Sequence, residues 1–121
     1  MTTMIKKIGV SSRDKELFAT LNVSMEQSEG VGSDLSDYAK VVVKKPWGYE
    51  YLIFGSEAIA VWILCLKRGA QTSMHCHPKK KTSLGVLEGE VVCSTVSESL
   101  RRTAGQGLLL EKGVFHQTTA V

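Results

Sequence analysis

The sequence lacks any hydrophobic run approaching the roughly 18 residues that a membrane-spanning helix needs. Residues 1–7 (MTTMIKK) also lack the apolar stretch of a signal peptide. Neither charge dominates, because 15 Lys and Arg against 12 Asp and Glu leave a net charge of +3. That excess is too mild to indicate a nucleic-acid or membrane surface. We therefore expect a cytoplasmic protein with a small-molecule ligand and with neither nucleic-acid nor membrane partners.

Cysteine is scarce as well. Cys65, Cys76 and Cys93 are an odd number, and none forms a CxxC pair with another. This pattern excludes a disulfide framework and predicts buried free thiols. No internal repeat of fixed period is present, which excludes solenoid and coiled-coil architectures.

A length of 121 residues with 43% hydrophobic and 22% charged residues is typical of one folded domain. From Tyr38 onward, short β-branched and aromatic runs alternate with glycine-containing turns, which predicts an all-β domain over residues 38–121. Residues 1–37 are interpreted as an N-terminal extension and linker. Within them, helical spacing predicts a helix over residues 12–27 with Ser12 as its cap.

His75 and His77 are two residues apart, so on an extended strand both imidazoles project from one face. This arrangement offers two nitrogen ligands to one metal ion. The alternative is that they are ordinary polar side chains, since an isolated HxH pair also occurs in proteins without metal.

The glycines around the histidines strengthen the metal interpretation. The first motif consists of Gly69, five residues, His75-x-His77 and then Gly89. The second consists of Gly105, Gly113 and His116. In both, the sequence resembles the cupin superfamily. Three positions depart from the family pattern: Thr82 replaces a ligand glutamate, Glu111 a proline and Ala120 an asparagine.

The resemblance covers about residues 44–121 and implies a double-stranded β-helix, or jelly-roll, barrel. It also implies that His75, His77 and His116 bind one divalent metal ion. Without the glutamate ligand, zinc or iron is favoured, with nickel and manganese as further candidates. The family barrel normally continues beyond its second motif, so we expect either a truncated product or another segment at that edge.

Lys44-Lys-Pro-Trp-Gly-Tyr-Glu50 resembles a segment of cupins related to type II mannose-6-phosphate isomerases and sugar-nucleotide pathway proteins. This resemblance implies that Trp47 and Tyr49 contact a sugar-derived ligand, although the favoured interpretation of Trp47 alone is an aromatic plug that closes the barrel. Lys79, Lys81 and Thr82 are predicted to attract a phosphate or carboxylate. The alternative is a solvated basic turn.

Two classes of function remain open at this point. The first is metal-dependent isomerisation or epimerisation of a phosphosugar or sugar nucleotide, which needs a base such as Glu50, Glu88 or Glu111. The second is a non-catalytic sugar-binding module, favoured because no histidine is left to act as a base. A three-histidine iron dioxygenase is a weaker third alternative. An open sheet edge where the family barrel would continue beyond its second motif also predicts a homodimer, which could exchange N-terminal strands near residues 41–43.

Overall fold

The computed structural model of the protein describes residues 5–21, Tyr38 and residues 40–121. The described residues form nine strands and one helix. In chain order these are β1 (Ile5–Ile8), α1 (Ser12–Leu21), β2 (Val42–Lys45), β3 (Gly48–Gly55), β4 (Ala60–Leu66), β5 (Thr82–Gly85), β6 (Glu90–Thr95), β7 (Ser99–Thr103), β8 (Gly107–Leu110) and β9 (His116–Ala120). In these ranges no helix has the length and apolar character needed to cross a membrane.

The strands form three sheets of three strands each, in the orders β1-β8-β5, β2-β3-β4 and β7-β6-β9. All pairings are antiparallel except that of β1 with β8, which is parallel. The predicted all-β class is therefore confirmed. Strand pairing among the described residues does not close the sheets into one barrel.

The hydrophobic core lies between the first and third sheets. Its fully buried members are Leu108 and Leu110 on β8, Cys93 on β6 and Val114, and Ile8 completes the cluster. Because β1 supplies Ile8, residues before the predicted domain boundary contribute to this core.

The helix α1 covers the whole described part of the predicted helix, but its cap is one residue earlier than predicted. Ser11 Oγ accepts the Asp14 N–H at 3.1 Å, while Asp14 Oδ2 accepts the Ser11 N–H at 2.9 Å. This reciprocal pair is a capping box, so Ser11 and not Ser12 caps α1. The rest of the predicted helix and the predicted linker over residues 28–37 lie outside the described residues.

The three cysteines are free, as predicted, but only Cys93 is buried. Cys65 and Cys76 are half-buried, so the prediction of buried thiols was wrong for them. Burial raises the pKa of the Cys93 thiol, which is consistent with an inert core residue.

Candidate metal centre

Backbone pairing brings the two histidine segments together. His75 and His116 face each other in an antiparallel bridge, with N–H to carbonyl distances of 3.0 and 2.8 Å in the two directions. The Gly113 N–H donates to the His77 carbonyl at 2.9 Å. The His75–His77 segment is therefore held alongside the start of β9 across about 40 residues of intervening chain.

The three imidazoles form a compact cluster. Ring centroids are 4.6 Å apart for His75 and His116, 5.1 Å for His75 and His77, and 5.6 Å for His77 and His116. One ring nitrogen from each histidine lies within 4.8 Å of the others. His75, His77 and His116 therefore lie close enough to bind one metal ion.

Backbone carbonyls fix the tautomer of two of these rings. His75 Nδ1 is 2.8 Å from the Ser73 carbonyl oxygen, and His116 Nδ1 is 3.0 Å from the Val114 carbonyl oxygen. A carbonyl can only accept, so Nδ1 carries the proton in both rings. In the neutral form of both rings the lone pair is therefore on Nε2, which is the arrangement of a metal-ligating histidine with a second hydrogen-bond partner.

His116 is the most enclosed of the three, with 5% of its surface exposed. Burial is the main reason that the pKa of His116 is lowered to about 4, and the neighbouring His75 and His77 contribute to the same shift. The imidazole is therefore neutral near pH 7, and a neutral imidazole is the form that binds metal.

The glycines of the two sequence motifs share one backbone conformation. Their φ angles lie between 81° and 86°, in the left-handed region, which residues with a side chain rarely adopt. They are Gly69, Gly89, Gly105 and Gly113. This backbone conformation explains why glycine occupies these positions. At Gly113 it lets the chain turn shortly before His116.

Asp14 lies near the site and is not among the site residues predicted from the sequence. Its side chain is 1% exposed, and Oδ1 accepts the Phe115 N–H at 2.8 Å across a sequence separation of 101 residues. The Ser-x-x-Asp pattern of residues 11–14 is a signal for a helix cap. It carries no information about the contact with Phe115.

Two of the three predicted acid and base candidates are paired with lysines. Glu50 pairs with Lys45 at 3.6 Å, and Glu88 lies exposed in the turn before β6. Glu111 Oε1 lies 2.9 Å from Lys7 Nζ, and this contact with Lys7 is the main reason that the pKa of Glu111 is lowered. No hydrogen bond or ion pair of these three carboxylates reaches a histidine within the described part of the chain.

Trp47 and Tyr49 belong to the sheet β2-β3-β4. The Trp47 carbonyl accepts the Lys67 N–H at 2.8 Å in the turn between β2 and β3. The Tyr49 side chain is exposed and stacks beside Tyr51, and a hydrogen bond with Cys65 raises the pKa of Tyr49. Neither Trp47 nor Tyr49 makes a hydrogen bond or ring contact with the histidines.

The predicted anion-binding residues follow His77 in the chain. Lys79 and Lys81 are exposed, and Lys81 lies 3.8 Å from Glu111. Thr82 is half-buried and pairs with Leu110 across β5 and β8. It shares the more enclosed face of β5 with Leu84, so the residue that replaces the family's glutamate points to the inner side of its sheet.

Two clefts lie along α1, with volumes of about 230 and 260 Å³. Asp14 lines the first, together with Ser11, Glu98 and Val114, and the second is lined by Arg13, Glu16 and their neighbours. The clustered histidines line neither cleft, so the candidate centre is defined by the positions of the three imidazoles and not by a cavity.

No protein-family model, curated protein or solved structure matches the chain. The cupin resemblance stays a prediction that rests on the motif residues.

Proposed function

We propose that this protein is a cupin-like metal protein in which His75, His77 and His116 bind one divalent ion, zinc or iron. The observation that carries the proposal is the cluster of three imidazoles, two of which donate Nδ1–H to a backbone carbonyl. Three neutral nitrogen ligands suit these ions and leave a coordination position for water or a ligand oxygen.

The ligand we propose is a phosphosugar or related sugar-derived anion, bound without turnover. The exposed Lys79 and Lys81 follow the metal ligands closely in sequence and supply positive charge for a phosphate. Isomerisation would need a base within hydrogen-bond reach of the transferred proton. Glu50 and Glu111 are paired with lysines instead, which favours binding over catalysis.

Elemental mass spectrometry of the purified chain, prepared without chelator, tests the metal site. We expect close to one zinc or iron per chain, lost in His75→Ala and in His116→Ala. Glu88→Gln is the matched control because Glu88 lies in an exposed turn, and it should retain the metal. A metal-free native chain, or full metal content in both histidine variants, would contradict the proposal.

Tryptophan fluorescence with mannose 6-phosphate tests the ligand. We expect a saturable change in the metal-loaded protein that chelation abolishes, and comparison of Trp47→Phe with Trp62→Phe assigns its origin. Conversion to fructose 6-phosphate would establish the isomerase instead of the binding module. Dioxygen consumption by the iron-loaded protein would favour the dioxygenase.

A further inference from the structure

Asp14 is a buried carboxylate whose hydrogen-bond donors are uncharged groups. Oδ2 accepts the Ser11 N–H and the Ser11 hydroxyl at 2.9 and 2.8 Å, and Oδ1 accepts the Phe115 N–H at 2.8 Å. No lysine or arginine of the described residues pairs with it. Burying a charge costs free energy unless other groups compensate it. The three uncharged donors and the positive end of the α1 dipole compensate the charge of Asp14 only modestly.

The Phe115 N–H and the Val114 carbonyl belong to the same peptide group. Asp14 Oδ1 accepts a hydrogen bond from its nitrogen, and the carbonyl oxygen accepts Nδ1–H of His116 at 3.0 Å. The three groups therefore form a continuous chain from carboxylate through peptide to imidazole. Hydrogen bonds in such a chain polarise one another, so the anion at one end makes the carbonyl a stronger acceptor at the other.

We propose that Asp14 is a positioning residue for the metal centre, acting through the Val114–Phe115 peptide on His116. A carboxylate that accepts Nδ1–H from a ligand histidine fixes the ring and raises the basicity of its other nitrogen. Here the peptide transmits the same effect, and Asp14 adds the negative charge that Thr82 does not supply at the family's glutamate position. The inference deepens the proposed function and depends on it.

The test is titration of the metal-free chain with Co²⁺, followed by its visible absorption bands, and with Zn²⁺ in competition. Asp14→Asn keeps the size of the side chain and an oxygen for the Phe115 N–H but removes the charge. We expect the Kd of both ions to rise at least about tenfold, as is usual when an outer-shell partner of a ligand histidine is changed. The Co²⁺ bands should also shift or weaken.

Ser11→Ala is the matched control because it removes the Ser11 hydroxyl from the capping box and from Oδ2 of Asp14, while the charge of Asp14 and its contact with Phe115 remain. It should lower the free energy of unfolding and leave the Kd for Co²⁺ within about twofold of the unchanged chain. Nitrogen NMR of His116 in the metal-free chain supplies a second readout. Asp14→Asn should reduce the fraction of the Nδ1–H tautomer, whereas Ser11→Ala should not.

The outcomes separate this inference from the proposed function. If the unchanged chain binds no Co²⁺, both fail. If it binds Co²⁺ and Asp14→Asn has the same Kd and the same His116 tautomer, only the role of Asp14 is overturned. An equal loss of affinity in Ser11→Ala would assign the effect to helix capping and would also overturn it.

Discussion

Burial of His116 has a measurable effect on stability. Its folded-state pKa of about 4 lies below the ordinary value of 6.5, so the unfolded chain takes up the proton first as the pH falls. The stabilisation is complete above about pH 6.5 and is lost progressively towards pH 4. We predict that the metal-free protein loses about 2 kcal/mol of unfolding free energy from this residue between about pH 7.5 and pH 5.

Urea unfolding of the chelator-treated protein across this pH range measures the effect. His116→Gln cannot titrate and is the control, because other groups titrate equally in both chains. Between about pH 7.5 and pH 5, the unfolding free energy of the variant should fall by about 2 kcal/mol less than that of the unchanged chain. Parallel curves for the two chains would show that His116 does not carry this stability.

At the residue scale, sequence could predict the histidine ligands but not their supporting partners. Their spacing and the surrounding glycines identified His75, His77 and His116, and the structure brings all three together. The Ser73 and Val114 carbonyls that orient two rings are backbone groups, which carry no residue-type signal. Asp14 was missed because its contact with Phe115 joins distant parts of the chain.

The pairing of β5 with β8 contains two glycines that face each other, Gly85 and Gly107. A Cβ at Gly107 would lie 2.6 Å from the Leu84 carbonyl oxygen, whereas a Cβ at Gly85 would meet nothing within 4 Å. We predict that Gly107→Ala lowers the unfolding free energy by about 1–3 kcal/mol through this overpacking. Gly85→Ala should change it by less than about 1 kcal/mol.

Urea unfolding midpoints of the two variants check this prediction, and each variant is the other's control because the positions are cross-strand partners. Equal destabilisation would show that the strand pair relaxes to accept the side chain at either position. A destabilised Gly85→Ala beside an unaffected Gly107→Ala would contradict the register itself.

At the element scale, the predicted strand-rich texture was confirmed, but several strands had no distinctive pattern. The β-branched and aromatic runs at residues 41–43, 49–54, 59–66, 84–87 and 91–96 predict strands, and these overlap β2 to β6. They did not identify β7, whose Ser99–Thr103 sequence contains two arginines, or the four-residue β8. Short strands such as β1 are stabilised by tertiary pairing, and a local pattern cannot reveal a parallel partner about 100 residues away.

At the scale of the whole molecule, the sheet β2-β3-β4 presents apolar side chains to solvent. Register places Val42, Tyr49 and Phe54 on one face, where they are 57%, 44% and 55% exposed. Within the described residues β2 pairs only with β3, so its other edge offers unpaired backbone groups. A second copy of the chain could satisfy this edge by antiparallel pairing and cover the apolar face symmetrically.

We therefore predict a homodimer, measured by light scattering at micromolar concentration, that Val42→Lys converts to a monomer. A lysine in the centre of a self-complementary apolar contact would place two like charges close together and leave them poorly hydrated. Leu87→Lys is the control, because Leu87 is 75% exposed in the turn between β5 and β6, and it should remain dimeric. A monomeric native chain would contradict the prediction, and a dimer that survives Val42→Lys would place the interface elsewhere.

Because the histidines lie on β9 and its neighbouring segment and not on this sheet, the monomeric variant should still bind metal.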